Sequence, residues 1–351
     1  MTPSIPRTLF VARSNGGIAW YRAILPATAL GADWIAVNGE PPKLDYITGV
    51  TPRRLGLGDF ADYEVVVLQQ PVGEQWLRAI RDLQARGTAV LFEIDDYLQA
   101  VRKIETHELS GHMNREWLRK AELNMRIADG IICSTPYLAR RYRKFNERLW
   151  VCQNGIDLGR YAYARPAEGT PVTIGWAGGV GHIASVRRWL PAVANVLRAR
   201  PDVRFQTVGS PFADELVEEF GPERARSLPF APLEMYPASV STFDLALAPS
   251  GNNNLFRGKS DLRWLEASAL GIPVVGDPEV YPDISDGVTG LAAATAEEAE
   301  AAILRLVDDA ALRTRLGEAA RAHVTEHRRI EVAAQAWAEV LREVAPERAA
   351  A

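Results

Sequence analysis

Gly258, Lys259 and Ser260 stand in a row, and an acid follows seven residues after the lysine at Glu266. The spacing of Leu262, Leu265 and Ala269 predicts a helix over 259–270. Gly271 ends it and Pro273 prevents its continuation. Glycine at 258 lets a ligand approach the backbone closely. Lys259 and Ser260 then fall where a helix offers free N–H groups and the positive end of its dipole. Seven residues bring Glu266 back to the same side of the helix, about 10 Å further along at 1.5 Å per residue. A cation and donors at one end and an acid at the other suit a nucleoside diphosphate, phosphates at Lys259 and ribose at Glu266.

Other reactive groups lie at the ends of predicted strands. Asn15-Gly16-Gly17 follows the first strand, with Arg22 shortly after. Gly16 and Gly17 would let backbone N–H groups reach a phosphate, or simply turn the strand into a helix. Arg22 would reach a diphosphate, or make a surface ion pair. Asp95 and Asp96 end another strand. They can orient or deprotonate an acceptor hydroxyl, hold a hard cation, or cap a helix. His182 follows the glycines at 178 and 179 and can bridge to phosphate or acceptor. His107 and His112 lie in a polar segment, and His323 and His327 read as surface residues of a helical tail. No G-x-S-x-G, HExxH, Walker A or dinucleotide G-x-G-x-x-G pattern accompanies them.

Short apolar runs must position these groups. In the first half, strands are expected at 9–12, 34–37, 64–68, 89–94, 130–133 and 149–152, with helices at 18–30, 74–86, 114–128 and 136–145. In the second half, strands are expected at 172–176, 203–208, 227–229, 245–248 and 274–275, with helices at 184–199, 213–220, 233–239 and 259–270. Such alternation predicts parallel sheets covered by helices on both faces. It occurs twice, around a Pro- and Gly-bearing linker at 161–171, so two doubly wound domains are expected. The tail, 296–344, reads as helical with breaks near Asp308 and Thr325, and Trp337 lies on its apolar face.

The chain has 351 residues, 47% of them hydrophobic and 24% charged, as in a soluble globular protein. It has no run apolar enough to span a membrane and no signal-peptide core, so a cytoplasmic location is expected. Cys133 and Cys152 read as small core residues rather than a disulfide framework or metal site. The net charge of −4 is unevenly spread: residues 1–165 carry 22 Lys+Arg against 18 Asp+Glu, and residues 166–351 carry 18 against 26. An anionic partner therefore suits the first half. Its densest basic run is Arg140, Arg141, Arg143, Lys144 and Arg148, which also fits a solvated helix face.

Several segments together resemble GT-B glycosyltransferases, and the second half is most similar to glycosyltransferase family 4. They are Cys152-Gln153-Asn154-Gly155-Ile156-Asp157, Thr173-Ile174-Gly175-Trp176-Ala177-Gly178-Gly179, Val203 to Gly209, Phe243 to Pro249, Leu265-Glu266-Ala267-Ser268-Ala269-Leu270-Gly271-Ile272-Pro273-Val274-Val275, and Asp286-Gly287-Val288-Thr289-Gly290-Leu291. They span roughly residues 150–325. The resemblance implies an α/β GT-B fold: two Rossmann-like domains, 1–163 on the acceptor side and 164–325 for the nucleotide sugar, with a cleft between them. The helical tail at 326–351 would cross back onto the first domain, with Trp337 packed there.

The implied activity is a retaining transfer of a hexose or pentose from a nucleoside diphosphate sugar to an acceptor hydroxyl, without a metal. Glu266 would bind the ribose, Lys259 and Ser260 the diphosphate, and Leu228-Pro229-Phe230-Ala231 the base. Gly178 and Gly179 would lie near phosphate or sugar. Two departures stand out. The first of the family's two paired glutamates falls at Gly258, so the sugar is not specified. The usual Arg and Lys after the first donor-domain strand are replaced by Gly178-Gly179-Val180-Gly181-His182. Lys259, with Arg257 or Arg263, would then carry the phosphate charge. The acceptor is a glycan, a lipid-linked sugar, a protein, or hydroxymethylated pyrimidine in DNA, as for phage-type transferases. Rival readings are a GT-B sugar-nucleotide 2-epimerase and a catalytically inactive nucleotide-sugar-binding module.

Overall fold

A computed structural model describes residues 4–14, 16–37, 60, 62–101, 114–163, 171–209, 213–251 and 253–345. His107, His112 and Asn15 lie outside them. Two six-stranded sheets, parallel throughout, form the frame. The first contains β1 (Thr8–Ala12), β2 (Asp33–Ala36), β3 (Val65–Gln69), β4 (Ala89–Ile94), β5 (Gly130–Cys133) and β6 (Leu149–Val151). Its spatial order is β2-β1-β3-β4-β5-β6. The second contains β7 (Thr173–Gly178), β8 (Arg204–Gly209), β9 (Ala225–Leu228), β10 (Leu245–Ala248), β11 (Val274–Gly276) and β12 (Leu291–Ala292), ordered β12-β11-β10-β7-β8-β9. Every strand predicted from the apolar runs is present. The two-residue β12 is additional and too short to leave a pattern.

Strands such as Thr-Leu-Phe-Val-Ala in β1 and Val-Val-Val-Leu-Gln in β3 are buried along their whole length, because helices cover both faces. Strand order reverses between β1 and β3 in one sheet and between β7 and β10 in the other. Ligands of doubly wound folds bind beyond the strand ends at such reversals. In the first sheet the reversal is flanked by Gly16–Gly17 and by Gln70, the only non-glycine residue among those described with a positive φ, 47°.

Three predicted helices are interrupted. The stretch at 18–30 becomes Gly17–Ala19, a π-turn at Trp20–Ile24, and Leu25–Leu30. Pro26 supplies no N–H and its ring crowds the carbonyl of Arg22, so the local hydrogen bonding widens. The stretch at 184–199 divides into Ile183–Arg187 and Leu190–Ala199, with Pro191 in the first turn of the second piece. The helix expected at 259–270 is instead Asn254–Gly258 followed by Leu262–Ala269. Asn253 caps the first piece by accepting from the backbone N–H groups of Leu255 and Phe256.

The tail forms Ala296–Asp308, Ala310–His323, a π-turn at Val324–Arg328, and Ile330–Val344. Thr295 and Glu298 make a capping box at its start. Trp337 is buried against the first sheet, its ring centroid 5.6 Å from that of Phe10. Cys133 and Cys152 are free and buried. Among the described residues, no helix is long and apolar enough to cross a membrane.

Candidate active site

The strand reversal of the second sheet is built for close approach. Gly178 ends β7, and a side chain there would collide with the Trp176 ring at 2.7 Å and with the Arg263 guanidinium at 2.9 Å. Gly209 ends β8 with φ +110°, and a Cβ would come within 2.4 Å of the Gly178 carbonyl. Phe230 covers this pair of turns and is 61% exposed, a large apolar face open to solvent. Arg263 donates to the Ala177 carbonyl at 3.1 Å and to the Tyr281 hydroxyl at 3.0 Å. Its guanidinium also lies 5.2 Å from the Trp176 ring centroid. It is thereby fixed beside Gly178. His182 belongs to the same turn, its backbone N–H donating to the Gly179 carbonyl at 3.1 Å.

One turn along the helix from Arg263, Glu266 is buried and both its oxygens are engaged. Tyr21 donates to Oε1 at 2.9 Å and Tyr236 to Oε2 at 3.0 Å. The Tyr161 hydroxyl lies 2.7 Å from that of Tyr21. Burial pushes the Glu266 carboxyl up to about 7, against the tyrosine hydrogen bonds that lower it. Beside it, the space bounded by Tyr236, Arg263 and Glu266 is a cavity of about 10 Å³, room for one water. Two hydroxyls, one on each carboxylate oxygen, reproduce the contacts a ribose diol would make. A ribose at Glu266 must therefore displace Tyr21 and Tyr236.

Lys259 and Ser260 do not start a helix; they join the two short ones. Asp261 precedes Leu262, and its carboxylate is taken by Arg328 at 2.6 and 3.0 Å. The chain is held extended at Lys259, so its side chain reaches the first domain. There the ammonium lies 2.6 Å from Asp96 Oδ1, with both side chains mostly buried. Gly258 packs against the same turn: a Cβ would lie 3.1 Å from Leu138 and 3.2 Å from the Tyr97 Cβ. A side chain at 258 would meet both more tightly than ordinary contact, so Leu138 or Tyr97 would have to give by a few tenths of an ångström. Asp95 is partly buried beside Asp96, and burial and that neighbouring carboxylate both push its carboxyl up.

Arg22 corrects an expectation. It is 1% exposed and cannot reach a ligand in the cleft. Its guanidinium donates to Glu93 at 2.7 Å, to the Cys152 carbonyl at 2.6 Å and to Asn154 at 2.8 Å. The π-turn around Pro26 aims it inward. Burial raises Glu93 to about 7 despite this partner. Arg257 pairs with Glu279 at 2.9 Å on the surface. Gly16 and Gly17 are exposed, and a Cβ at Gly17 meets nothing within 4 Å, leaving its backbone open. The structure thus brings Gly178, Gly179, Phe230, Arg263 and Glu266 into one group and Lys259, Gly258 and Asp96 into another, with Asp95 beside it. Tyr161, Tyr236, Asp261 and Arg328 were not singled out from sequence. Single tyrosines and a tail arginine carry no motif, and only long-range pairing reveals them.

Opposed carboxyl edges of two doubly wound sheets, with glycine turns at the second reversal and a returning C-terminal helix, define the GT-B glycosyltransferase fold. Residues 187–346 match a family model described as glycosyl transferase-like. Among solved structures, sucrose-phosphate synthase from Thermosynechococcus elongatus is similar at 17% identity and a TM-score of 0.68, over 97% of this chain and 99% of that one. Anabaena HepE in complex with UDP-glucose is similar at 14% identity and 0.68, over 96% and 100%. S. aureus TarM, in a complex containing UDP, is similar at 14% and 0.61, over 84% of this chain and 61% of that one. A search of curated proteins finds no match.

Proposed function

We propose that this protein is a retaining glycosyltransferase that moves a sugar, a hexose first among the candidates, from a nucleoside diphosphate to an acceptor hydroxyl. The observation that carries this reading is the second-sheet reversal: Gly178–Gly179 lie under the exposed Phe230, with Arg263 and Glu266 on the adjoining helix. Phe230 offers a face for the base, Glu266 accepts the ribose hydroxyls once the tyrosines withdraw, and the Gly178–Gly179 turn admits the phosphates. UDP and UDP-glucose in the similar structures make uridine nucleotides the first to try. In the reaction the bond from the anomeric carbon to the diphosphate breaks and a bond to the acceptor oxygen forms on the same face. Lys259 leaves Asp96 to neutralise the departing diphosphate, with Arg263 at its other side. Asp95, with its raised affinity for a proton, takes the acceptor proton. Closure of the cleft excludes water and limits hydrolysis.

A thermal-shift screen of nucleoside diphosphate sugars tests the reading, followed by product analysis. One sugar nucleotide is expected to stabilise the fold, by about 2.7 kcal/mol at a hundredfold excess over Kd. Transfer to an acceptor, with the anomeric configuration kept, should follow. Stabilisation by none of them overturns the proposal; conversion of the donor to an epimer without an acceptor replaces transfer by epimerisation.

Glu266 also makes a pH-dependent prediction. Its folded-state pKa of about 7 lies above its ordinary 4.5, so the native state holds the extra proton and stability falls as pH rises across that interval. Diol binding needs the ionised form, which accepts both hydroxyls. Affinity for UDP is therefore expected to rise through about pH 7 in the parent protein. Glu266→Gln should bind more weakly and lose that rise. Parallel calorimetric profiles for the two proteins would remove Glu266 from the site.

A further inference from the structure

Glu266 is 8% exposed, so each of its carboxylate oxygens needs a partner whether or not a nucleotide is bound. Tyr236 supplies one from within the second domain. The other comes from Tyr21, a residue of the first domain. Tyr21 is buried and, with Leu25, packs into the same apolar cluster as Trp264, Leu265 and Ile272 of the second domain. Its hydroxyl is supported from the linker, where the Tyr161 hydroxyl lies 2.7 Å away. The space left beside the carboxylate, about 10 Å³, holds a water and not a ribose.

The chain around Tyr21 keeps it in that place. It belongs to the π-turn Trp20–Ile24. The next residue, Arg22, is anchored within the first domain by Glu93, the Cys152 carbonyl and Asn154. The residue before, Trp20, has the Arg160 guanidinium 4.2 Å from its ring centroid, and Arg160 donates to the Leu233 carbonyl at 2.9 Å. Leu233 stands three residues after Phe230 and three before Tyr236. One short turn of the first domain is thus tied to the linker, to the segment that carries Phe230, and to Glu266. Phe230 itself is exposed, and Gly178 and Gly179 are only partly buried. The places suited to base and phosphate therefore stand open, while the place of the ribose is filled.

Resting on the nucleotide-sugar reading above, we infer that Tyr21 is an intramolecular competitor of the ribose: it occupies Glu266 in the empty protein, yields it to the nucleotide sugar, and returns to displace the nucleoside diphosphate left after transfer. The competition exchanges one hydroxyl for another on the same carboxylate oxygen. With Tyr21 present, a ribose gains only the difference between its own hydrogen bond and the tyrosine's. Without the tyrosine hydroxyl, the empty protein has a buried oxygen short of a partner, and the ribose gains the whole bond. Nucleotide sugar and nucleotide product share the ribose, so the contact that weakens capture of the first speeds release of the second, a step that limits many enzymes.

Tyr21→Phe removes the hydroxyl and keeps the ring in its apolar cluster. UDP, ADP and GDP are titrated calorimetrically above about pH 7, where Glu266 is ionised. At least one is expected to bind the parent. That nucleotide and its nucleoside should bind Tyr21→Phe about tenfold more tightly, the scale of one hydrogen bond to a charged group. Inorganic pyrophosphate, which carries no ribose, should bind both proteins alike. Tyr161→Phe, which removes only the support of Tyr21, should raise nucleotide affinity by a smaller factor, and it carries the test if Tyr21→Phe does not fold. Nucleotide affinity unchanged or lowered in the folded variants overturns the inference. So does an equal gain for pyrophosphate, which would make Tyr21 a latch between the domains. If none of the three nucleotides binds the parent or either variant, the nucleotide-sugar reading fails and the competitor role fails with it.

Discussion

Lys259→Ala is expected to lower kcat/KM for sugar transfer on the order of 30- to 1000-fold, about 2–4 kcal/mol in the barrier. A leaving diphosphate gains negative charge as its bond to the sugar breaks, and a cation in a water-poor cleft stabilises that charge more in the transition state than in the ground state. The structure offers a competing role, because the ammonium is already engaged by Asp96 at 2.6 Å across the domains. The two roles separate on ligand binding. If Lys259 serves the phosphates, the alanine variant loses affinity for UDP and keeps its affinity for uridine. Asp96→Asn, which frees the ammonium, then binds UDP at least as well as the parent. If Lys259 only latches the domains, both variants weaken UDP and uridine alike, and an unchanged kcat/KM in Lys259→Ala sinks the phosphate role outright.

Arg328→Met is expected to cost about 3–5 kcal/mol of folding stability, the range for removing one partner of a buried ionic group. Arg328 is 4% exposed and binds Asp261 through two nitrogens, pairs with Asp283, and donates to the Asn154 carbonyl at 3.0 Å. The variant leaves those carboxylates without their cation in a desolvated place. Urea unfolding followed by circular dichroism measures the loss. Adding Asp261→Asn and Asp283→Asn to Arg328→Met should recover part of it, because the uncompensated charges are then gone. A loss below 1 kcal/mol would show that water reaches the cluster. Because Asp261 directly precedes the helix that carries Arg263 and Glu266, the same variant is expected to weaken nucleotide binding although Arg328 touches no ligand.

The architecture was legible because parallel strands covered on both faces must be apolar along their length. Val65–Gln69 and Leu245–Ala248 are buried at every residue or nearly so, and their sequences carry little else. The acid at Glu266 was legible for the opposite reason, as a charged group on the buried edge of an otherwise apolar helix. The break before Leu262 was not. The propensity of 259–270 favours one helix, but Asn253 caps an earlier piece and Arg328, 67 residues beyond Asp261, claims the carboxylate at the join. Arg22 was misplaced on the same account. Its partners Glu93, Cys152 and Asn154 lie 71, 130 and 132 residues away, and Pro26 turns it toward them through a π-turn that apolar spacing does not foretell.

By itself the amino-acid sequence determined the strands and their parallel pairing into two doubly wound units, and it offered candidate residues for the chemistry. These follow from burial and backbone preference acting over a few neighbouring residues. Only the tertiary structure decided which of those residues meet. Lys259 finds Asp96 across 163 residues, and Tyr21 finds Glu266 across 245. Both pairs join a residue of the first sheet's layer to one of the second's. A buried charge or hydroxyl then takes whatever partner the packing presents, since leaving it unpaired costs more than any local preference can offset.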